Sequence, residues 1–396
     1  MKKLLFLLTP LFVYAQSSIL SDIPLPKTYV QNLDPYECDN SCLQEYLDNG
    51  MIFSFLAHAN KKLEDEELVG ERNIYTSLLN IKSFNSGATV KIALLLPYKR
   101  IGKYASSTMN ASFAYLMTKT NPYILKSYKI ENEESESIEA ALQQIEEDGF
   151  HYVIAPMTRK GGQNLIDLAP RQIVYFPTLH NRDMNSNAAN LYFGAIDYEA
   201  QSDLLLQKAV SPLVIFSDKS QTGQKLAHYQ EERFFEQAPS NRVIKYSISR
   251  KTTNLERYLK KNRRITYASF FINTPVIKSA MILSQLTLYD TKPRNILSTQ
   301  INYNPLILSM TQYGDRKKMI VANSIIEEND FVTETNSLLA NDIKYDWINY
   351  ATTVGTDYFY NQITGEERDY NIPLQNHQMV YQVELLKPGY SNFLPY

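Results

Sequence analysis

The run Val90-Lys91-Ile92-Ala93-Leu94-Leu95-Leu96 constrains the fold of this chain more than any other stretch. A short, nearly unbroken apolar segment with little alternation fits a strand buried on both faces, as in a parallel sheet covered by helices. Pro97 has no amide hydrogen to give to a ladder, so the strand ends there. A loop over 98–101 and a helix over 102–118 are predicted next, the helix burying Ala105, Met109, Phe113 and Leu116.

The same unit recurs downstream. Strands are expected over 123–130, 152–155, 173–176, 191–195, 213–216, 243–248, 266–272, 295–298 and 319–321. Between them fall helices over 135–147, 198–210, 221–236, 254–261 and 274–286, and one that ends at Leu168. Alternation of this kind specifies an α/β fold with parallel sheets and right-handed crossovers. There are more strands than one compact sheet takes, so two lobes are expected. The first covers about 89–195 and the second about 196–300, with C-terminal parts returning to each. An amphipathic helix over 346–360 carries the single tryptophan, Trp347, and is followed by a turn at 362–365. The alternating tail over 379–385 reads as a closing hairpin or edge. The acidic run Glu131-Asn132-Glu133-Glu134 opens a helix, where carboxylates complement the dipole and need no cation.

Upstream of residue 89 the chain changes character. Lys2-Lys3 followed by the apolar run 4–13 and Val13-Tyr14-Ala15 has the layout of a secretory signal peptide (residues 1–15), with Gln16 as the first mature residue. No cysteine follows the apolar run, so a lipid-anchored version is not indicated. No later stretch reaches the roughly 18 apolar residues of a membrane helix. The expected compartment is therefore the bacterial periplasm, with the mature protein soluble. Residues 16–35 form a Ser/Pro-rich leader. Leu43, Tyr46, Leu47, Ile52, Phe53 and Leu56 then make an apolar helical stripe, so 16–88 is a leader plus a short helical segment that serves packing or partner contact. The only cysteines, Cys38 and Cys42, favour a small disulfide in an oxidising compartment; a zinc site would need two more ligands, with only His58 near.

Forty Lys+Arg against forty-two Asp+Glu leave no basic excess of the kind nucleic-acid binders show. Twenty-nine tyrosines are many for 396 residues, and their polar tips suit half-buried faces and interfaces.

Several segments resemble the type I periplasmic-binding fold. KIALLLP at 91–97 looks like its first strand, and YVIAPMTRKGGQNLIDLA at 152–169 resembles a later strand and loop of that fold, with Pro156 in its usual place. LYFGAIDYEAQSDLLLQKA at 191–209 is similar to the passage into the second lobe, and LVIFSDKSQTGQKLAHYQEERF at 213–234 to that lobe's opening, with Asp218 and Gly223 matching. ITYASFFINTPVIKSAMILSQL at 265–286 and NQITGEERDYNIPLQNHQMVYQVELLKP at 361–388 extend the resemblance, which spans about 89–388. It implies a two-lobed domain over 89–396. Within that fold the chain looks most like the C-terminal domain of lipoprotein activators of peptidoglycan synthases, and next like branched-chain amino-acid receptors. Of the small hydroxyl residues with which such receptors hold an amino acid, only Thr158 is present, beside Met157 and Arg159.

Ligands of α/β sheets sit beyond the carboxyl ends of the strands. The expected ligand-binding residues are thus Tyr98, Arg100, Thr158, Arg159, His180, Asp218, Asn273 and Thr274, with Lys99 and Gln300 in the same loops. Arg159, at a helix start, suits a carboxylate or phosphate. No G-x-S-x-G elbow, H-E-x-x-H helix or phosphate-binding loop is present, and the five histidines are scattered. These features describe a non-enzyme without cofactor or metal. Two readings remain: an interaction, scaffold or regulatory module in an envelope assembly, such as a peptidoglycan synthase or a flagellar motor; or a solute receptor that passes a small amphipathic or anionic ligand to a transporter.

Overall fold

The computed structural model describes residues 30, 32–34, 36–59, 63, 65–79, 81, 89–184, 186, 188–326 and 329–396. The expected signal peptide and nearly all of the leader lie outside the described residues. The chain divides into two compact units, residues 1–86 and 87–396. In the first, helices Asn40–Asp48, Ile52–His58 and Glu66–Leu78 pack around Leu43, Phe55, Leu56, Ala59 and Leu68. A disulfide joins Cys38 to Cys42 at the start of the first helix, where Asp39 accepts a hydrogen bond from the Cys42 amide at 3.0 Å. With both thiols consumed, the pair offers no zinc ligands. Phe53, expected on the buried stripe, is exposed.

The second unit is built on two seven-stranded sheets. In the first lobe the strands are β1 (Val90–Pro97), β2 (Tyr123–Ile130), β3 (Tyr152–Ile154), β4 (Ile173–Phe176) and β5 (Leu191–Phe193). The second lobe has β6 (Leu213–Asp218), β7 (Val243–Ile248), β8 (Ser269–Asn273), β9 (Asn295–Ser298) and β10 (Met319–Asn323). Both sets are parallel and run in the order second-first-third-fourth-fifth. The lobes thus duplicate one topology although no repeat is visible in the sequence. In this order the chain reverses direction across the sheet between β1 and β3, and again between β6 and β8. Each reversal leaves a crevice at the carboxyl ends.

The short strands that close the sheets come from the C-terminus. Here the tail expected as a single edge divides. β11 (Leu374–Gln375) and β12 (Gln378–Met379) complete the first sheet, whereas β13 (Glu384–Pro388) and β14 (Phe393–Pro395) complete the second. The chain therefore passes between lobes three times: after β5, after β10 and after β12.

Strand β1 is buried on both faces, as its composition predicts. Val90, Ile92, Leu94 and Leu96 join one core cluster and Ala93 and Leu95 another. Residues 98–101 form a helical turn, Tyr98–Ile101, instead of a loop. Helix Tyr104–Met117 buries Thr108, Ala111, Ser112, Ala114, Tyr115 and Leu116 while Met109 is exposed, so its buried face is rotated from the expected one. Small residues face inward because a second helix, Trp347–Thr364, lies against them; Thr356 donates to Ser112 at 3.0 Å. That second helix is not amphipathic, since every residue from Asn349 to Tyr360 is buried.

Many tyrosines serve this interior. Tyr115 donates to Asp357 at 2.8 Å, Tyr175 to the Ala351 carbonyl at 2.8 Å and Tyr360 to Asn121 at 2.9 Å. Each ring fills core volume while its hydroxyl finds a partner. Among the described residues no helix is long and apolar enough to cross a membrane.

Candidate functional site

The crevices of the two lobes face a common cleft, which holds a cavity of about 280 Å³. From the first lobe it is lined by Met157, Thr158 and Arg159 after β3, by Thr178 to His180, Arg182 and Asp183 after β4, and by Ala195 and Ile196 after β5. Across it stand Tyr198 and Glu199 of helix Tyr198–Leu206, and Gln221, Thr222, Lys225, Leu226 and Tyr229 of helix Gln221–Gln237. Met157, Leu179, Ile196 and Leu226 are buried and give the cavity an apolar wall. Burial, with Tyr104 nearby, pushes the Tyr198 hydroxyl up to about 12. Burial and the hydrogen bond to Asp203 do the same for Tyr229. The Tyr198 hydroxyl is therefore a neutral donor at physiological pH, whereas the Tyr229 hydroxyl already donates to Asp203 at 3.0 Å.

Ion pairs tie the two rims. Lys225, from the second lobe, lies 2.8 Å from Asp183 on the first and 3.6 Å from Glu199. Arg182, on the first-lobe rim, reaches back to Glu199 at 3.0 Å and to Asp197, the cap of helix Tyr198–Leu206. His180 stands 3.7 Å from Asp197. Burial acts to raise the Asp197 carboxyl, yet hydrogen bonds from His180, the Ala200 amide and Arg182 outweigh it and hold the group well below its ordinary value. Arg159, exposed at the start of helix Arg159–Asp167, has no ion-pair partner among the described residues.

Of the residues expected from sequence, Thr158, Arg159 and His180 line the cavity. The remaining five do not, for local reasons. Tyr98 donates to Glu131 at 3.1 Å, as does Lys99 at 2.6 Å, and both are exposed at the end of β1. Arg100 lies 3.8 Å from Glu133. Asp218 accepts from the Ser220 amide at 3.1 Å, shaping the turn into helix Gln221–Gln237. Asn273 is fully buried and exchanges hydrogen bonds with Gln230 at 2.7 and 3.2 Å. Thr274, also buried, meets Ser279 at 2.8 Å. Gln300 is likewise internal, bonded to Gln201, Asn323 and Ser324.

The residues that sequence reasoning missed are the cross-cleft charges Arg182, Asp183, Asp197, Glu199 and Lys225, and the acid Glu133. Glu133 does not act as a dipole complement to its own helix. Its side chain turns inward and accepts from the Thr158 amide at 2.8 Å and from the Thr158 hydroxyl. Its neighbours do point outward: Glu131 pairs with Lys99 and Glu134 with Lys160.

Neither a protein-family model nor a curated protein sequence matches this chain. Solved structures do match. The branched-chain amino-acid substrate-binding protein LivJ of Streptococcus pneumoniae, in complex with isoleucine, aligns over 78% of this chain and 100% of its own, with a TM-score of 0.54 at 8% identity. The chain has the type I periplasmic-binding-like fold. Two further structures with this fold show its range. A solute-binding protein of an ABC transporter from R. palustris, in complex with 4-hydroxybenzoate, covers 78% of this chain and 96% of its own (TM-score 0.54, 11% identity). LpoA of Haemophilus influenzae, a peptidoglycan synthase activator, covers 90% of this chain and 71% of its own (TM-score 0.52, 12% identity). At these identities the likeness is one of fold.

Proposed function

We propose that this chain is a non-enzymatic periplasmic protein whose binding fold serves as an interaction or regulatory module in an envelope assembly. The cross-cleft ion pairs carry this reading. Lys225 and Arg182 hold the rims together with the protein's own carboxylates, and the cavity left between them, about 280 Å³, is at the lower limit for a small-molecule pocket. The likeness to LpoA supports it, extending over 90% of the chain against 78% for the two solute receptors. A peptidoglycan synthase or a flagellar motor scaffold are the assemblies proposed. Crosslinking in cells, from a photoreactive residue on the exposed surface, should capture a defined envelope protein. A protein that captures none, yet gains thermal stability from a metabolite, overturns the reading.

One observation favours a second reading, a solute receptor. Arg159 is exposed and unpaired among the described residues, beside a cavity with an apolar wall and the hydroxyl of Tyr198. A small amphipathic anion would suit that set. A melting-temperature screen over amino acids, peptides, sugars and aromatic acids tests it, since a ligand at a hundred times its dissociation constant adds about 2.7 kcal/mol. Arg159→Ala should abolish any response; a response that survives the substitution excludes this site.

A further inference from the structure

Glu133 is 3% exposed, and its carboxylate is the most deeply placed charge at the first-lobe crevice. It belongs to the loop after β2 yet lies on the start of helix Arg159–Asp167, next to the reversal between β1 and β3. The Thr158 amide and hydroxyl both donate to it. The loop that carries it is pinned in turn, with Asn164 donating to the Glu133 carbonyl at 2.7 Å. Gly161 completes the arrangement. A Cβ at that position would lie 2.4 Å from the Glu133 carboxyl carbon, so the carboxylate rests directly on the first helical turn and only glycine leaves it room. A helix start with converging donors at a strand-order reversal is where an α/β sheet receives an anion. Here the anion is the protein's own.

We infer that Glu133 is a built-in anion that occupies the first lobe's anion subsite and determines what the cleft can accept. The Thr158 donors are committed to it, so a carboxylate or phosphate entering from solvent cannot use them and meets instead the exposed guanidinium groups of Arg159 and of Arg100, the latter 3.8 Å from Glu133. The inference goes beyond the function proposed above and holds for either reading, since it concerns what one helix start is bonded to.

Chemical rescue tests it. Glu133→Ala leaves the Thr158 amide buried without a partner, and the melting temperature falls. About 0.1 M formate or acetate at pH 7.5 should then restore at least half of that fall, with chloride at equal ionic strength restoring none. The wild-type protein should respond to formate and chloride alike. A variant that formate does not stabilise beyond chloride, or a wild type that formate stabilises as strongly, overturns the inference. Should Glu133→Ala not fold, the wild type decides: the amide resonances of Thr158 and Gly161 should stay in place when acetate or leucine is added. A saturable shift of either overturns it. Neither result depends on whether an envelope partner is captured.

Discussion

Placing a methyl group on Gly355 probes the packing on which the first lobe depends. Gly355 lies in the buried helix Trp347–Thr364, facing the ring of Tyr175. An added Cβ would sit 2.1 Å from Tyr175 Cε1 and 2.2 Å from Cδ1. Carbon atoms prefer about 3.5–4.0 Å, so the overlap exceeds an ångström. The ring has nowhere to go: Tyr175 is wholly buried, packs edge-on against Phe359 with ring centroids 6.1 Å apart, and its hydroxyl donates to Ala351 one turn earlier. Relief therefore requires the helix to lift or the tyrosine to leave its rotamer and its hydrogen bond. Overpacking of this kind costs about 1–3 kcal/mol, and the hydrogen bond about 1 more. Replacing glycine by alanine within a helix returns about 1 kcal/mol. Gly355→Ala should thus destabilise by roughly 2 kcal/mol, read as a lower urea midpoint at unchanged slope. Truncating the ring reverses the sign. In a Tyr175→Ala background, itself weakened by about 3–5 kcal/mol, the same glycine substitution should stabilise by about 1. The coupling between the two sites is then roughly 3 kcal/mol. A stabilising Gly355→Ala in the wild type, or a coupling below about 0.5 kcal/mol, refutes the reasoning.

Two further outcomes concern the cleft. Asp197→Asn keeps a helix-capping side chain but removes the charge that pairs with Arg182 and His180, at a cost of roughly 1 kcal/mol near pH 7 after allowing for solvent screening. Because the folded-state carboxyl is held below its ordinary 3.8, this contribution is fully present above the unfolded value and fades as pH falls through the folded one. Wild-type and variant melting temperatures should therefore differ by a constant amount above about pH 5 and converge below about pH 4; a gap that widens in acid contradicts the assignment. Lys225→Ala removes the tie to Asp183 and Glu199, and pairs this exposed are worth about 0.2–1 kcal/mol, so the open-to-closed ratio of the cleft should rise up to roughly fivefold. Small-angle scattering should show a larger radius of gyration for the variant, and for the wild type in high salt; identical curves would mean that Lys225 does not hold the rims.

The strands were legible because burial on both faces writes itself into composition. β1, β4, β6 and β9 each read as short runs that need no alternation to be recognised. Helical faces were harder. The helix Tyr104–Met117 presents alanine, serine and threonine to another helix, and small polar residues carry no apolar stripe to read. The site was least legible, and its residue types explain why. Asp, Asn and Thr at strand ends serve equally as ligand contacts and as caps, and Asp218, Asn273 and Thr274 turned out to bond their own turns and neighbours. Glu133 was hidden by its context, one carboxylate in an acidic run whose other members point outward. The pairing of Lys225 with Asp183 joins positions forty-two apart in sequence and on opposite lobes, a relation that no local pattern records.

The three passages of the chain between lobes also bear on how this protein comes off the ribosome. The first lobe begins with β1, but the helix that covers one face of its sheet starts at Trp347, and β12, which extends its far edge, ends at Met379. Some two hundred and fifty residues must be synthesised after β1 before Ile92 and Leu94 can meet their full cover. For that interval this face is covered only in part, by helix Tyr104–Met117, whose Tyr115 and Leu116 join the same cluster. Both lobes therefore close late, once the C-terminal strands that complete each sheet have been made.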